Sequence, residues 1–194
     1  MKRLSFIAIL AVIMILQGCG HKVQRINIDE TIDLSGRWND SDSRMTAQAM
    51  VDQILSNRWI DDFEKKHRGE RPVVIVGLVY NKSHEHINAE TFIKDVERSF
   101  INSGRVRLVQ AGDKRDELRR ERGDQQSFAS LETAKKWGKE LGADFMLNGD
   151  INSIVDTYKK EKVVYYQVNL ELSNLETNEV VWIGEKKIRK YIKN

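Results

Sequence analysis

The sequence predicts a single-domain α/β sandwich whose mixed sheet ends in a C-terminal antiparallel meander of three strands covered by helices. Three patterns support this fold class. Residues 72–79 form an apolar run that is typical of a strand buried on both faces. Apolar residues before and after this run recur at helical spacing, whereas the last third of the chain alternates between apolar and polar residues. We expect the domain to cover residues 35–194, which is long enough for one core.

The N-terminal residues 1–18 have the features of a secretory signal peptide. Two basic residues precede the uncharged apolar segment 4–16, which is shorter than the about 20 residues that a membrane-spanning helix needs. The following Leu16-Gln17-Gly18-Cys19 resembles a bacterial lipobox, in which cleavage precedes the only cysteine of the chain. We therefore expect Cys19 to carry acyl chains that hold the protein on a bilayer. A plain signal peptide with a chance cysteine is the alternative.

Residues 19–34 are predicted to be the lipidated cysteine and a short flexible tether. The 16 steps from Cys19 to Ser35 reach about 50 Å when fully extended. Gly20 replaces the aspartate that retains many lipoproteins at the inner membrane. By resemblance to sorted lipoproteins, the expected location is therefore the periplasmic face of the outer membrane.

The first half of the domain predicts helix, strand, helix and strand in that order. Ser41 or Asp42 can cap the first helix, whose apolar positions continue through Phe63 to Gly69. The apolar positions of its first part are Ala47, Met50, Val51, Ile54 and Leu55. After the apolar strand, Asn88 caps a helix that Ser103-Gly104 ends. A short strand at residues 105–110 completes a pattern that resembles a parallel crossover.

The second half predicts a solvated helix, an amphipathic helix and the meander. Residues 113–122 are highly charged, and the stripe from Leu131 through Trp137 to Leu141 is apolar. The three strands cover residues 145–156, 166–172 and 180–183, and polar turns cover residues 159–161 and 176–178. Long strands joined by tight turns have to pair antiparallel. One face of this meander is expected to be covered by helices.

Composition and motifs exclude several classes of function. The chain has 32 basic and 29 acidic residues, and removal of Lys2 and Arg3 lowers its formal net charge from +3 to +1, unlike a nucleic-acid binder. One cysteine excludes a disulfide framework and a zinc site of several thiolates. Gly138-Lys139 lacks the other features of a phosphate-binding loop, and no G-x-G-x-x-G or G-x-S-x-G occurs. The sequence therefore predicts a protein that is not an enzyme and has no cofactor, metal or small-molecule substrate.

Two regions hold candidate partner-binding residues near the predicted central strand. Trp38 follows Arg37 just before the first helix, a composition that fits either an interface anchor or a staple of the N-terminal arm. His84, Glu85 and His86 lie in the polar loop after the central strand. A metal would need further ligands, so a solvated loop is the favoured interpretation of these three residues.

Other polar and aromatic residues are predicted to be ordinary parts of the fold. Arg115, Arg119 and Arg120 lie on the charged helix and are further candidates for partner contact. Asp150 and Asp156 are expected on one polar strand face rather than in an acid–base pair. Trp59 and Trp137 are predicted to be core residues because apolar residues surround them.

Several segments together resemble one known family. They are Ser35–Arg44, Pro72–Gly77 leading to Asn81-Lys82-Ser83, Phe92–Asp95, Ser103-Gly104, Gly142–Asp144 and Thr177–Trp182. With the lipobox, they resemble the LpoB family of outer-membrane lipoproteins from Ser35 to about Lys187. The resemblance implies a small sheet wrapped by helices. It also implies a partner, a class A penicillin-binding protein, whose synthesis of peptidoglycan the protein activates.

One feature differs from the family and keeps a second function open. The activators of this family have a long flexible tail, whereas this chain has a short tether. The alternative is a structural or assembly lipoprotein of an outer-membrane or secretion apparatus, since the family fold is related to that of the curli secretion channel. A third hypothesis is an envelope hydrolase, for which the sequence offers no catalytic constellation.

Overall fold

The computed structural model describes residues 23–27, 30–128 and 140–193. The chain divides into two units, residues 1–31 and residues 32–194. No helix among the described residues is long and apolar enough to cross a membrane. The predicted signal peptide, Cys19 and most of the apolar stripe that begins at Leu131 lie outside the described residues.

The described part of the second unit contains four helices and five strands. The helices are α1 (Asp40–Leu55), α2 (Arg58–Lys66), α3 (Ala89–Ser103) and α4 (Gly112–Phe128). The strands are β1 (Val73–Asn81), β2 (Arg107–Leu108), β3 (Phe145–Tyr158), β4 (Glu161–Asn174) and β5 (Val180–Lys193).

The five strands form one mixed sheet in the order β2-β1-β3-β4-β5. β1 lies parallel to β2 and β3, whereas β3, β4 and β5 form an antiparallel meander. The mixed sheet and its C-terminal meander are therefore confirmed. β1 is an inner strand, and its first four residues are buried as the apolar run predicts, but Leu78 is 61% exposed, so the prediction of burial on both faces is wrong for its second half.

The core lies between one face of the sheet and the helices α1 and α3. Alternate residues of β4, from Val164 to Leu172, are buried on this face because successive side chains point to opposite sides of a strand. α1 packs against α3 and β5, and α3 packs against β1. Phe92 and Phe100 of α3 are completely buried, as their spacing predicts.

The predicted first helix is wrong in two details. Its cap is Asn39, whose side chain accepts from the Asp42 amide while the Asp42 carboxylate accepts from the Asn39 amide. Asp42 is thus the third residue of a capping box rather than the cap. The helix also ends at Leu55, and α2 starts anew with Asn57 as its own cap.

Three strands differ in length from their predictions. β4 covers Glu161–Asn174 instead of residues 166–172. β2 pairs over only two residues instead of the six expected at 105–110. β5 runs ten residues beyond the predicted end at Ile183, because Ile188 and Ile192 continue the alternation and pack against the core. The longer β5 pairs with β4 as far as the turn at Lys159 and Lys160.

Three further predictions are confirmed. Trp59 is a core residue with 6% of its surface exposed. Asn88 caps α3, and Gly104 ends it in the left-handed conformation. α4 is a solvated helix, although it is longer than the segment 113–122.

Candidate functional site

Trp38 attaches the N-terminal arm, the segment of the folded unit before α1, to the sheet. Its indole ring meets Tyr166 of β4 edge to face, with ring centroids 5.5 Å apart. Its backbone amide donates to Glu85 Oε2 at 3.1 Å, so the same residue also binds the loop after β1. Trp38 is half-buried against the core, which favours the staple interpretation of this residue.

The buried Lys190 also binds the N-terminal arm. Lys190 Nζ of β5 donates to Asp42 Oδ2 at 2.5 Å, to Asp33 Oδ1 at 2.6 Å and to the Arg37 carbonyl oxygen at 3.0 Å. Burial alone lowers the pKa of Lys190, but the hydrogen bonds with Asp33 and Asp42 outweigh it and raise the pKa above 10.5. The lysine is therefore charged, and it joins the arm, α1 and β5.

The loop after β1 is shaped by its own side chains. Asn81 donates through Nδ2 to the carbonyl oxygen of Glu85 at 2.8 Å, and its Oδ1 accepts from the Ser83 amide at 3.0 Å. Ser83 Oγ also donates to the carbonyl of Glu85. The predicted polar loop is thus partly exposed and held in one conformation by internal hydrogen bonds, as is usual for loops that present binding residues.

His84 in this loop has a polar neighbour at each ring nitrogen. Ser153 Oγ of β3 accepts from the His84 backbone amide at 2.9 Å and lies 2.7 Å from His84 Nδ1. His84 Nε2 lies 3.2 Å from Glu85 Oε1. Glu85 Oε1 itself accepts no hydrogen bond among the described residues, so the hydrogen bonds of His84 go to Ser153 alone.

Tyr166 lies where these contacts converge. Its ring packs against Trp38 and stacks with His84 at a centroid distance of 6.3 Å. The residue is completely buried, and burial together with the nearby Glu85 carboxylate raises the pKa of its hydroxyl far above the ordinary value. The phenol is therefore neutral, and the structure brings the predicted residues Trp38 and His84 onto one aromatic side chain.

The chemistry of this cluster fits positioning rather than catalysis. A serine, a histidine and a glutamate are connected as in a nucleophile relay. Ser153 Oγ, however, already accepts from the His84 amide, and the clefts beside Trp59 and beside Tyr80 are lined by other residues. No group of three metal-ligating side chains occurs among the described residues.

His86 differs from His84 in its contacts. It lies in the same loop, its side chain is exposed, and it makes no hydrogen bond or ion pair within the described part of the chain. A side chain with these properties can bind a partner without first breaking an internal contact.

The arginines of α4 form a separate group around Glu140. Arg119 binds both Glu140 oxygens, at 2.9 and 3.0 Å, and Arg115 donates to the Gln110 carbonyl oxygen at 2.8 Å. The hydrogen bonds from Arg119 lower the pKa of the Glu140 carboxyl. Arg120 is exposed and has no such bond among the described residues. No hydrogen bond within the described ranges joins this group to Trp38 or His84.

The face of the sheet opposite the core carries a polar network. Asp150 Oδ1 accepts from Asn152 and Asn169, and its Oδ2 lies 3.0 Å from Lys82 Nζ. Burial raises the pKa of this carboxyl, but the hydrogen bonds from Asn169, Lys82 and Asn152 outweigh it and leave the pKa below its ordinary value. Asp150 is thus a polar strand residue, as expected.

A comparison with models of known protein families identifies the family of this chain. The model of the family described as peptidoglycan-synthase activator LpoB matches residues 42–188. The chain belongs to the LpoB family. The match extends from Asp42 in the first turn of α1 to Ile188 in β5, so it includes Tyr166, His84 and most of the sheet. The resemblance predicted from the sequence is therefore confirmed, and the LpoB family is one of activators rather than catalysts.

Solved structures of the LpoB family are similar to this chain at low sequence identity. The LpoB C-terminal domain from Escherichia coli is 17% identical, with a TM-score of 0.45, and the match covers 79% of this chain and 99% of that one. The corresponding domain from Salmonella enterica gives the same identity and TM-score over 76% and 98%. Lipoprotein GNA1162 from Neisseria meningitidis is 11% identical, with a TM-score of 0.39, over 63% and 84%. No curated protein sequence matches the chain significantly.

Three residues of the cluster escaped the sequence prediction. Tyr166 was expected only as one of the alternating residues of a strand, and Ser153 had no distinguishing pattern. Lys190 lies in a run of charged residues that gives no sign of burial. Their roles depend on partners that are distant in the chain, which local patterns do not reveal.

Proposed function

We propose that this chain is an outer-membrane lipoprotein, facing the periplasm, that binds and activates a class A penicillin-binding protein. The family match over residues 42–188 is the observation that supports this function. It includes nearly the whole folded unit, so the activity of the family is assigned to the domain itself. Class A enzymes are the proposed partners because they polymerise and crosslink peptidoglycan.

The proposed anchor is the lipid on Cys19. Residues 1–18 are the proposed signal peptide, residues 19–34 the tether and residues 35–194 the activator domain. Two or three acyl chains hold a protein on a bilayer because each buried methylene contributes about 0.8 kcal/mol. A chain with Cys19→Ser should therefore leave the outer-membrane fraction and appear as a soluble periplasmic protein.

The proposed contact residues fall into two groups. Trp38, His84 and His86 belong to the arm and loop around Tyr166, which internal hydrogen bonds hold in shape before any partner binds. A preformed loop loses little conformational entropy on binding. Arg115, Arg119 and Arg120 belong to α4, where Arg119 binds Glu140 and the exposed Arg120 has no ion-pair partner among the described residues, so its guanidinium can pair with an acidic group of a partner.

The proposed mechanism is a shift between conformations of the synthase. A bound activator raises activity only when it binds the active conformation more tightly than the inactive one. The ratio of the two affinities sets the largest stimulation that saturating activator can give. No chemical step is assigned to this chain.

A reconstituted synthesis assay tests the proposal. The mature chain is added at increasing concentration to a purified class A enzyme with lipid-linked precursor, and polymerisation and crosslinking rates are measured together with binding. We expect both rates to rise several-fold and to saturate with the binding curve. Saturated binding with unchanged rates would contradict activation.

An in-cell experiment tests whether the short tether allows contact. The tagged full-length chain is crosslinked in intact cells and its partners are identified by mass spectrometry. A class A penicillin-binding protein among the leading partners is the expected result. Recovery of only the chain itself and other outer-membrane proteins would favour the assembly function instead.

A further inference from the structure

The meander extends beyond the rest of the sheet at one end. The last residue of β1, Asn81, pairs with Ile151 of β3, and residues 152–158 of β3 then pair only with β4. β4 and β5 remain paired to the end, where Glu161 lies opposite Lys193. This three-stranded projection ends at the turn formed by Lys159 and Lys160.

The face of this projection that points away from the core is both basic and aromatic. Three cross-strand rows form it: Ile154, Tyr165 and Arg189; Asp156, Val163 and Tyr191; and Tyr158, Glu161 and Lys193. We call these nine residues and the two turn lysines the strand-end surface. Tyr158 is 70% exposed and Tyr191 60%, and Ile154 is exposed to a similar degree.

The charge of the strand-end surface is positive. Lys159, Lys160, Arg189 and Lys193 face only two acidic residues, Asp156 and Glu161. Glu161 is partly neutralised by Lys193 Nζ at 3.9 Å, and its carboxylate raises the pKa of the nearby Tyr191 hydroxyl. Lys160 and Arg189 have no ion-pair partner among the described residues, so their charge is available to an external anion.

The N-terminal arm enters the folded unit at this same end. Gly36 packs against the side chain of Ile192, and Asp33 and the Arg37 carbonyl bind Lys190, two residues before Ile192. Thirteen steps separate Cys19 from Ile32, which is at most about 45 Å of extended chain. A lipid on Cys19 therefore keeps the entry point within about 45 Å of the bilayer, with the projection beside it.

We infer that the strand-end surface binds the anionic phospholipid headgroups of the membrane that carries the lipid anchor. The inference rests on the lipidation proposed for Cys19, which brings this surface to the bilayer. Lysine and arginine gain about fivefold in affinity per residue near an anionic membrane surface, and tyrosine is enriched at the membrane–water interface. The surface offers both residue types on one solvent-facing side of the sheet.

This contact sets the orientation of the domain. β3 has 14 residues and is about 45 Å long. The contact involves the last residues of β3, so its first residue, Phe145, and α2, whose Phe63 packs on Phe145, lie at the far end of the strand from the membrane contact. The loop that contains His84 bonds to Ser153, so it lies at the same end of β3 as the contact.

Vesicle sedimentation tests the inference without the acyl chains. The mature chain from Gly20 onward, which contains the tether and all described residues, is mixed with vesicles of phosphatidylcholine alone or with 30% phosphatidylglycerol. We expect binding only to the anionic vesicles, with a steep decrease between 50 and 500 mM salt. Equal binding to both vesicle types, or binding to neither, would overturn the inference.

Two variants with the same change of net charge locate the contact. Lys160→Glu with Arg189→Glu should weaken vesicle binding at least tenfold. Lys65→Glu with Lys66→Glu on α2, at the opposite end, should change it less than twofold. An equal loss in both variants would show general charge attraction and overturn the assignment of the surface. Circular dichroism and thermal unfolding verify that both variants fold.

A tyrosine variant and a synthase assay separate the remaining outcomes. Tyr158→Ala leaves the charge unchanged and should weaken vesicle binding about threefold, and an unchanged affinity would contradict an interfacial role of the ring. All variants are also assayed for stimulation of the synthase in detergent. Vesicle binding without stimulation would refute the proposed function and leave the membrane contact standing. Stimulation without vesicle binding would support the proposed function and refute the membrane contact.

Discussion

Lys190 and Asp42 form a buried ion pair between the last strand and the first helix. They are 148 positions apart in the chain, and their side chains are 8% and 6% exposed. Asp42 also closes the capping box of α1 with Asn39. One carboxylate thus fixes the start of the helix, the end of β5 and, through the other ligands of Lys190, the entry of the N-terminal arm.

Removal of Lys190 should destabilise the domain strongly. In Lys190→Met, Asp42 keeps its capping bond but loses its buried cation, and breaking such a pair costs about 3 kcal/mol. Urea unfolding followed by circular dichroism measures this change. The double variant with Asp42→Asn removes the unpaired charge and should recover part of the loss. Additive losses in the two single variants and the double variant would contradict a coupled pair.

The same pair should make stability fall at high pH. The pKa of Lys190 is raised above 10.5 in the folded state, so folding favours its protonated form. Its contribution is complete below the pKa of the unfolded chain and is lost as the pH rises through the folded pKa. We expect the free energy of unfolding to decrease above about pH 10.5 in the parent chain and less steeply in Lys190→Met. Parallel curves for the two chains would show that Lys190 is not responsible.

Trp38 should contribute to stability as the staple of the arm. Trp38→Ala removes a half-buried indole and its edge-to-face contact with Tyr166, and we expect a loss of about 2 to 3 kcal/mol. Hydrogen exchange of residues 32–37 should accelerate. Leu34→Ala is the matched control because Leu34 is 94% exposed, and it should change stability by less than about 0.5 kcal/mol. Similar losses in both variants would contradict the staple.

Gly36 and Gly104 have nearly the same backbone φ angle but different surroundings. Replacing each with alanine therefore distinguishes the cost of the left-handed backbone from the cost of steric overlap. Gly36 has φ +66° and Gly104 φ +65°, so alanine at either position costs about 1 kcal/mol for the left-handed conformation. A Cβ at Gly36 also overlaps the Ile192 side chain, whereas nothing lies near one at Gly104. Thermal unfolding should therefore show a loss about twice as large for Gly36→Ala. Equal losses would mean that Ile192 moves away freely.

The sequence predicts the fold best where the hydrophobic pattern is local. The apolar run of β1 and the alternation of β4 define their strands without knowledge of any partner. The break between α1 and α2 at Ser56 and Asn57 has no glycine or proline, so the pattern continues across it. The second half of β5 is not predicted, because its many lysines and arginines leave only two apolar core residues, Ile188 and Ile192, in the alternating pattern.

The candidate site could be predicted only in part for a related reason. Trp38 and His84 stand out by composition, but their common neighbour Tyr166 is an ordinary residue of its strand. The burial of Lys190 depends on Asp33 and Asp42, which lie more than 140 residues earlier. A charged residue can be buried only with such partners, and local sequence gives no information about them.

The synthase contact should depend on exposed residues rather than on the buried cluster. His86 and Arg120 are exposed and make no hydrogen bond or ion pair within the described ranges, so their removal cannot act through the fold. We expect His86→Ala and Arg120→Ala each to weaken synthase binding about fivefold, a typical effect of an interface side chain, with unchanged thermal unfolding. Lys65→Ala on α2 is the control, since Lys65 is equally exposed and free of partners, and it should bind as the parent chain does. Surface plasmon resonance with the immobilised synthase measures all three affinities. If both variants bind like the control, the loop and α4 are not the contact surface, and the opposite end of the sheet becomes the place to search.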